Sequence, residues 1–314
     1  MKKSFIHIRK GKIKDIYKFI DENKHCYCKK IKKCFGIKTM CRVLGISRAA
    51  YYRHLNRKPS KWEREDKILD KMIYKEYKDS KCRYGAVKIL RQLMKKGFKS
   101  SLKRVQRRMR KLNIKSIIVK KWRPYCSSKV NAAGKENLIE EDFTADTINK
   151  KWLTDITYIY TLKYRWCYLA SVFDCYSAKI VGWYISKDMN ADTALKAIKN
   201  AIEIQKPDFK SLILHSDLGS QYTSSTVEEY LKSKGIKHSY SKKGYPYDNA
   251  PMESFHASLK KEEPRMNKYI DLEDTKISIF EYIEGWYNRK RIHSRIGYIT
   301  PQECEDIERK KSAA

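Results

Sequence analysis

Hydrophobic and polar positions alternate with two different periods along the chain. The first third carries helical periods. "TMCRVLGISRAAYYRHL" (Thr39–Leu55) reads as helix, tight turn, helix, with Gly45 in the turn and Ser47 capping the second helix. That second helix would project Arg48, Tyr51, Tyr52 and Arg53. The layout fits either a helix-turn-helix or an ordinary helical hairpin. A long helix is predicted from about Trp62 to Tyr77, with Ile68, Leu69, Met72 and Ile73 as its apolar face. "RYGAVKILRQLMKKGFKSSLKRVQRRMRKLNI" (Arg83–Ile114) predicts a helix over Gly85–Lys95, a stop at Gly97 and a second helix capped by Ser100 or Ser101. Val105, Met109 and Leu112 form the buried stripe of that second helix. Arg104, Arg107, Arg108 and Arg110 cover its other faces.

From Lys151 the period shortens. "KWLTDITYIY", "WCYLASVFDCYS" and "KIVGWYIS" are rich in β-branched and aromatic residues and predict three strands. An amphipathic helix ("ADTALKAIKNAIEIQ"), a short buried strand ("SLILHSD") and a helix closed by Gly235 follow. Another strand ("IKHSYSK"), a glycine-containing loop and a helix bearing Glu253 complete the run. This is the element order of a ribonuclease-H-like α/β domain, although many α/β domains share it. Residues 115–148, with weak periodicity, read as a linker.

Charge divides the chain at the same place. Of 70 Lys+Arg and 36 Asp+Glu, residues 1–136 hold 43 and 10, and residues 137–314 hold 27 and 26. The front part is suited to a polyanion and the back part is electrically balanced. The amphipathic helix with bulky anchors that a membrane surface would favour does not stand out. The basic N-terminus is followed by no apolar signal core, and nine scattered cysteines suggest reduced thiols. A cytoplasmic location is expected. His25, Cys26, Cys28, Cys34 and Cys41 invite a metal reading, but their spacing is irregular, so buried or incidental thiols are favoured.

Three carboxylates stand out. Asp155 lies mid-strand between apolar neighbours, where an unpaired charge is costly. Asp217 ends the strand "LILHSD", and Glu253 begins a helix capped by Asp248 or Asn249 with Pro251 in its first turn. Lys260 lies seven residues beyond Glu253, two turns on and on the same face. Each acid alone has an ordinary structural explanation. Converging on one cleft they would repel one another unless cations neutralised them, and magnesium is the natural choice for oxygen ligands and substrate phosphate.

Over nearly its whole length the chain resembles the DDE transposases of the insertion-sequence-three family, in their downstream-frame product with an integrase catalytic core. The resemblance is carried by "CRVLGISRAAYY", the Arg-Tyr-Gly helix pair with "KRVQRRMRKLNI", "NLIEEDFTADTINKKWLTDITYI", "VFDCYSAKIVGWYIS", "LILHSDLGSQYTS", "GYPYDNAPMESFHASLKKE" and "WYNRKRIHSRIGYITPQE". The 35 residues between Asp217 and Glu253 match the spacing of this class. The resemblance implies an α/β ribonuclease-H-like (integrase) catalytic domain preceded by an all-α helix-turn-helix DNA-binding region. The expected divisions are 1–60, 61–114, a linker over 115–148, the catalytic core with its C-terminal helix over 149–305, and a tail over 306–314.

The same resemblance implies Asp155, Asp217 and Glu253 as catalytic metal ligands for Mg2+ or Mn2+, with two ions expected. Lys260 is implied at transposon-end DNA, and Arg48, Arg53, Arg104, Arg107, Arg108 and Arg291 are expected DNA contacts. His215, Gly219, Gln221, Asp248 and Asn249 are expected to shape loops. Tyr287, Asn288, Arg291 and His293 match a family signature and serve either DNA contact or core packing. His256 stands where the family usually has an aromatic residue. The implied reaction nicks each transposon end and joins the freed 3′-hydroxyl to another phosphodiester. Implied partners are transposon-end and target DNA, further copies of the chain on DNA, and an upstream-frame protein or fusion that supplies a second helix-turn-helix and a zipper. Its place would be the bacterial cytoplasm, at the nucleoid. Two other readings stay open: a metal-dependent nuclease without strand transfer, and a non-catalytic DNA-binding remnant.

Overall fold

A computed structural model describes residues 13–24, 27–28, 33–34, 36–118, 136–241, 246–263 and 268–312. The chain forms two compact units, Met1–Leu69 and Asp70–Ala314. No described helix is long and apolar enough to cross a membrane.

In the first unit, helix α1 (Ile13–Asn23) is followed by a two-residue antiparallel pairing of β1 (Tyr27–Cys28) with β2 (Lys33–Cys34). Helices α2 (Ile37–Leu44) and α3 (Arg48–Leu55) come next. Ile16, Ile20, Met40, Cys41, Leu44 and Tyr51 are buried together. Gly45 ends α2 with φ 71°, the left-handed geometry that favours glycine, and Ser47 Oγ accepts the Ala50 amide at 3.1 Å to start α3. The predicted turn and cap are thus present. Tyr51 does not project as expected: it is buried in the core with Ile16 and Ile20 of α1, its ring centre 6.2 Å from that of Tyr17. Of the candidate metal cluster, His25, Cys26 and the side chains of Cys28 and Cys34 lie outside the described residues, while Cys41 is a core thiol.

Helix α4 (Lys61–Asp79) contains the division between the units. It begins in a reciprocal capping box, with Ser60 N donating to Glu63 Oε2 at 2.8 Å and Glu63 N to Ser60 Oγ at 3.2 Å. Its buried seam runs through Leu69, Ile73 and Glu76 and continues to Ser80 just past its end. Ile68, expected on the apolar face, is 55% exposed, since it lies one residue off this seam. Helices α5 (Ala86–Lys95) and α6 (Leu102–Lys111) pack on each other, and Ser101 caps α6 through the Arg104 amide. Val105 and Met109 are buried as predicted.

The second unit is built on a five-stranded sheet of β3 (Lys151–Thr161), β4 (Arg165–Asp174), β5 (Ile180–Ser186), β6 (Ile213–Ser216) and β7 (Lys237–Tyr240), in the order β5-β4-β3-β6-β7. The first three strands are antiparallel, and β6 and β7 run parallel to β3 and β6. Helix α7 (Ala191–Gln205) connects β5 to β6, and α8 (Ser225–Lys234) connects β6 to β7. Trp152, Val172, Val181, Ala197, Ile198 and Leu214 belong to the core between sheet and helices. Gly182 on β5 lets α7 approach: a Cβ there would lie 2.6 Å from Ala197 O and from Ala201 N and Cβ.

Helix α9 (Ala250–Glu262) packs on β3. Helix α10 (Leu272–Phe280) runs directly into a π-helical turn, Glu281–Tyr287. Asn288 then pairs with the edge strand: its Oδ1 accepts from Ile180 N at 3.0 Å and its Nδ2 donates to Ile180 O at 2.9 Å. The final helix, α11 (Pro301–Ser312), includes most of the segment expected as a tail from 306. It holds shape there because buried Glu305 pairs with Lys179 at 2.8 Å and with Arg309 at 2.8 Å.

Candidate active site

Asp155 and Asp217 reach the same place by strand register. Leu153 pairs with His215 between parallel β3 and β6, so two residues further along each strand stand Asp155 and Asp217. His215 is buried beneath them, its ring nitrogens 2.8 Å from Ser239 Oγ and 3.0 Å from Ser241 Oγ. Burial pushes its pKa down to about 4, so it is a neutral bridge from β6 to the end of β7. Asp217 Oδ1 accepts the Gly219 amide at 3.0 Å. A Cβ on Gly219 would lie 2.2 Å from Gln221 Nε2 and 2.9 Å from that same oxygen, so glycine leaves room beside the carboxylate.

Glu253 enters from α9. Asn249 occupies the cap position, but its side chain makes no capping bond and Pro251 sits in the first turn. The predicted cap is therefore only positional. Burial raises the Asp155 carboxyl to about 7, and the charges of Asp217 and Glu253 push in the same direction. Burial also raises Asp217 and Glu253. Burial thus disfavours the charged form of all three acids, and at Asp155 the other two charges add to it, a state that a cation relieves.

Among the described residues, no three His, Cys, Asp or Glu side chains already form one metal shell. The donor set nonetheless fits a hard divalent ion. Each magnesium needs only one or two protein carboxylates besides water and substrate phosphate, and all three side chains offer oxygen alone. His256 Nδ1 lies 3.6 Å from Asp155 Oδ2, yet burial and Lys260 hold the ring at about 3, so the contact is not an ion pair. Lys260 reaches solvent at the far end of α9. Crowding lowers its pKa and Asp155 raises it, which ties the ammonium electrostatically to the acids.

The expected DNA contacts are distributed unevenly. Arg48, Arg53 and Arg107 are exposed, and Arg104 is half-buried on α6. Arg108 is turned inward: its Nε donates to Asp70 Oδ1 at 2.7 Å and a second nitrogen pairs with Oδ2. Arg291 is also internal, with Nε 2.9 Å and 3.1 Å from the two oxygens of buried Glu262 and a further bond to Ser258 Oγ at 3.1 Å. Glu262 Oε2 also accepts from Trp286 Nε1 at 3.0 Å and from the Tyr282 hydroxyl at 3.3 Å. Of the expected choice between DNA contact and packing, the geometry of Tyr287, Asn288 and Arg291 is that of packing.

One element of the region was not legible as a function in the sequence. The Arg83-Tyr84 pair before α5 clamps that helix to the core. Arg83 Nε donates to Glu262 O at 2.8 Å, and its guanidinium stacks 4.7 Å from the Trp286 ring centre. The Tyr84 hydroxyl donates to Lys290 O at 2.8 Å and accepts from Ile292 N at 3.0 Å. The Arg-Tyr-Gly motif was its only sequence signal, and its partners lie about 180 to 210 residues away.

Comparison with known proteins agrees with this architecture. Two integrase core domain families match residues 145–246 and 234–301, and an HTH-like domain family matches residues 63–122. Transposase InsF for insertion sequence IS3A of Escherichia coli strain K12 is 34% identical over 285 residues, covering 90% of this chain and 98% of that protein. The transposase for insertion sequence element IS904 of Lactococcus lactis subsp. lactis strain IL1403 is 38% identical over 251 residues, covering 80% and 98%. Among solved structures, the HTLV-2 integrase catalytic core domain in complex with magnesium is 16% identical, covers 52% of this chain and 99% of its own, and has a TM-score of 0.40. With an HTH-like region ahead of an integrase core, and relatives matched over almost their full length, the chain belongs to the insertion-sequence-three (IS3) family of transposases.

Proposed function

We propose that this transposase uses Asp155, Asp217 and Glu253 as a divalent-metal site that nicks transposon ends and joins each freed 3′-hydroxyl to DNA by transesterification. The observation that supports this most is the register of β3 and β6, which places two acids side by side while α9 brings a third whose charge raises Asp155. Two magnesium ions, when bound, would supply Lewis-acid stabilisation of the attacking and leaving oxygens.

The chain's own residues have distinct tasks. Asp155 is seated on the central strand of the sheet, its Oδ1 accepting the Ile156 amide at 2.8 Å. Asp217 is oriented by the Gly219 amide. Glu253 closes the site from a helix. Lys260, one helical face with Glu253, contacts the phosphate backbone of the transposon end. Exposed Arg48, Arg53 and Arg107 hold DNA phosphates and set its register, without reading sequence by themselves. DNA is the partner, and further copies of the chain assemble on it.

Asp155→Asn tests the reading. It should abolish strand cleavage and strand transfer while DNA binding stays near the parental level. Undiminished cleavage would refute the assignment. A strand-transfer assay with pre-nicked ends separates a transposase from a simple nuclease, which would yield no joined product.

A further inference from the structure

A cavity of about 230 Å³ lies on the flank of α9, away from the acids. Four stretches distant in sequence build it: Lys88 on α5, Phe173 and Ala178 at the end of β4 and just beyond it, Pro251, Ser254 and Ser258 on α9, and the stretch from Tyr287 to Arg295. Pro251, Ser254 and Ser258 follow the three- and four-residue spacing of a single helical stripe. Glu253 and Lys260 lie on a second stripe, roughly 140° around the same helix.

We propose that this cavity seats a backbone phosphate of the bound DNA strand, held by Lys88, Arg295 and the hydroxyls of Ser254 and Ser258. The inference rests on the transposase reading and names a subsite within it. Three observations support it. First, among the described residues the walls carry Lys88, Arg291 and Arg295 and no carboxylate. Glu262, behind the wall, pairs with Arg291 and also attracts the Lys88 ammonium, but one carboxylate against three cations leaves the cavity a positive surplus. Second, Lys88 has no carboxylate partner among the described residues. Its ammonium only lies 5.2 Å from the centre of the Tyr84 ring, while burial and Arg291 pull its pKa down to about 7. A half-buried cation in that position is stabilised by an incoming anion. Third, the cavity is smaller than a pocket for a drug-sized ligand and its lining includes the hydroxyl-bearing Ser254, Ser258, Ser294 and Tyr287, which suits a phosphate group rather than a base.

The position also makes functional sense. A helix is about 10 Å across. One DNA strand crossing the first turns of α9 can place a phosphate in this cavity and another at the acids on the opposite flank. Lys88 would then let the helical module around α5 sense whether DNA lies correctly in the catalytic groove.

The test uses the full chain and lysine footprinting. Brief acylation, read by mass spectrometry, should label Lys88 in the free protein, and a DNA duplex should protect it severalfold. Lys88→Gln and, separately, the exposed-site change Arg295→Gln should each reduce the slope of log affinity against log salt by about 0.9. Near-ultraviolet circular dichroism checks that both variants are folded. Lys88 that stays reactive while the duplex is bound overturns the proposal, as do two folded variants that keep the parental slope. Protection by inorganic phosphate without protection by DNA also overturns it, because the cavity would then serve a free anion. These readouts measure binding in the absence of divalent metal. A failure of the cleavage reading in Asp155→Asn therefore remains a separate result.

Discussion

Arg291 provides the sharpest test of the packing argument, because the sequence places it among DNA contacts and the fold places it inside. Its guanidinium makes two bonds to Glu262, a carboxylate that is 1% exposed and that also accepts from Trp286 and Tyr282. Glu262→Ala removes the acceptor for three donors and leaves a buried cation unpaired. Breaking such a pair costs about 3–5 kcal/mol, a large share of the roughly 5–15 kcal/mol that holds a typical fold together. Arg291→Met leaves the opposite orphan, an unpaired carboxylate, and should cost a similar amount. The double variant should be more stable than the sum of the two losses predicts, by at least about 2 kcal/mol, because neither charge is then stranded. Urea unfolding followed by tryptophan fluorescence measures all three. If Arg291→Met costs less than about 1 kcal/mol and instead lowers the salt dependence of DNA binding, then Arg291 faces DNA and the argument fails.

Three further outcomes are expected. Gly182→Ala should destabilise the protein by about 1–3 kcal/mol through overpacking against α7; a midpoint equal to the parent would show that α7 can retreat freely. Gly219→Ala should depress cleavage far more than stability, since the added methyl presses on Asp217 Oδ1; a parental cleavage rate would contradict that. Lys88→Met should stabilise the chain most near pH 6. The folded-state pKa of Lys88 is depressed to about 7, so holding the charge costs stability below that pH, and the cost fades as pH rises from 7 towards the ordinary lysine value of 10.5. A stability gain that is the same at pH 6 and pH 10 would refute this sign.

Local signals made much of the fold legible. The left-handed turn at Gly45, the Ser47 and Ser101 caps, the helix stop at Gly235 and the run of β-branched strands follow from chemistry within a few residues. Two further signals were present but went unread. The Ser60–Glu63 box starts α4, and a matching Thr300–Glu303 box starts α11 and extends it through the expected tail. The acids were recognisable because a carboxylate within an apolar strand demands an explanation. Arg108 and Arg291 were misplaced for the converse reason: a basic residue is legible by its charge, but whether an acid answers it depends on a partner such as Asp70 or Glu262 that lies far away in sequence. Lys88 went unnoticed because nothing local distinguishes it from the other lysines of an amphipathic helix.

The Arg83–Tyr84 clamp constrains how this protein can be dissected. A cut between the helical front and the sheet, anywhere from 119 to 145, falls within the segment that the sequence reads as a linker. It would strip Trp286 of its cationic lid and deprive the Lys290 carbonyl and Ile292 amide of their hydroxyl partner. A catalytic fragment made that way would expose an aromatic scar and aggregate, and the matching front fragment would lose the surface against which α5 rests. Exchange of DNA-binding modules between relatives would therefore succeed only when residues 83–84 travel together with 262, 286 and 290–292.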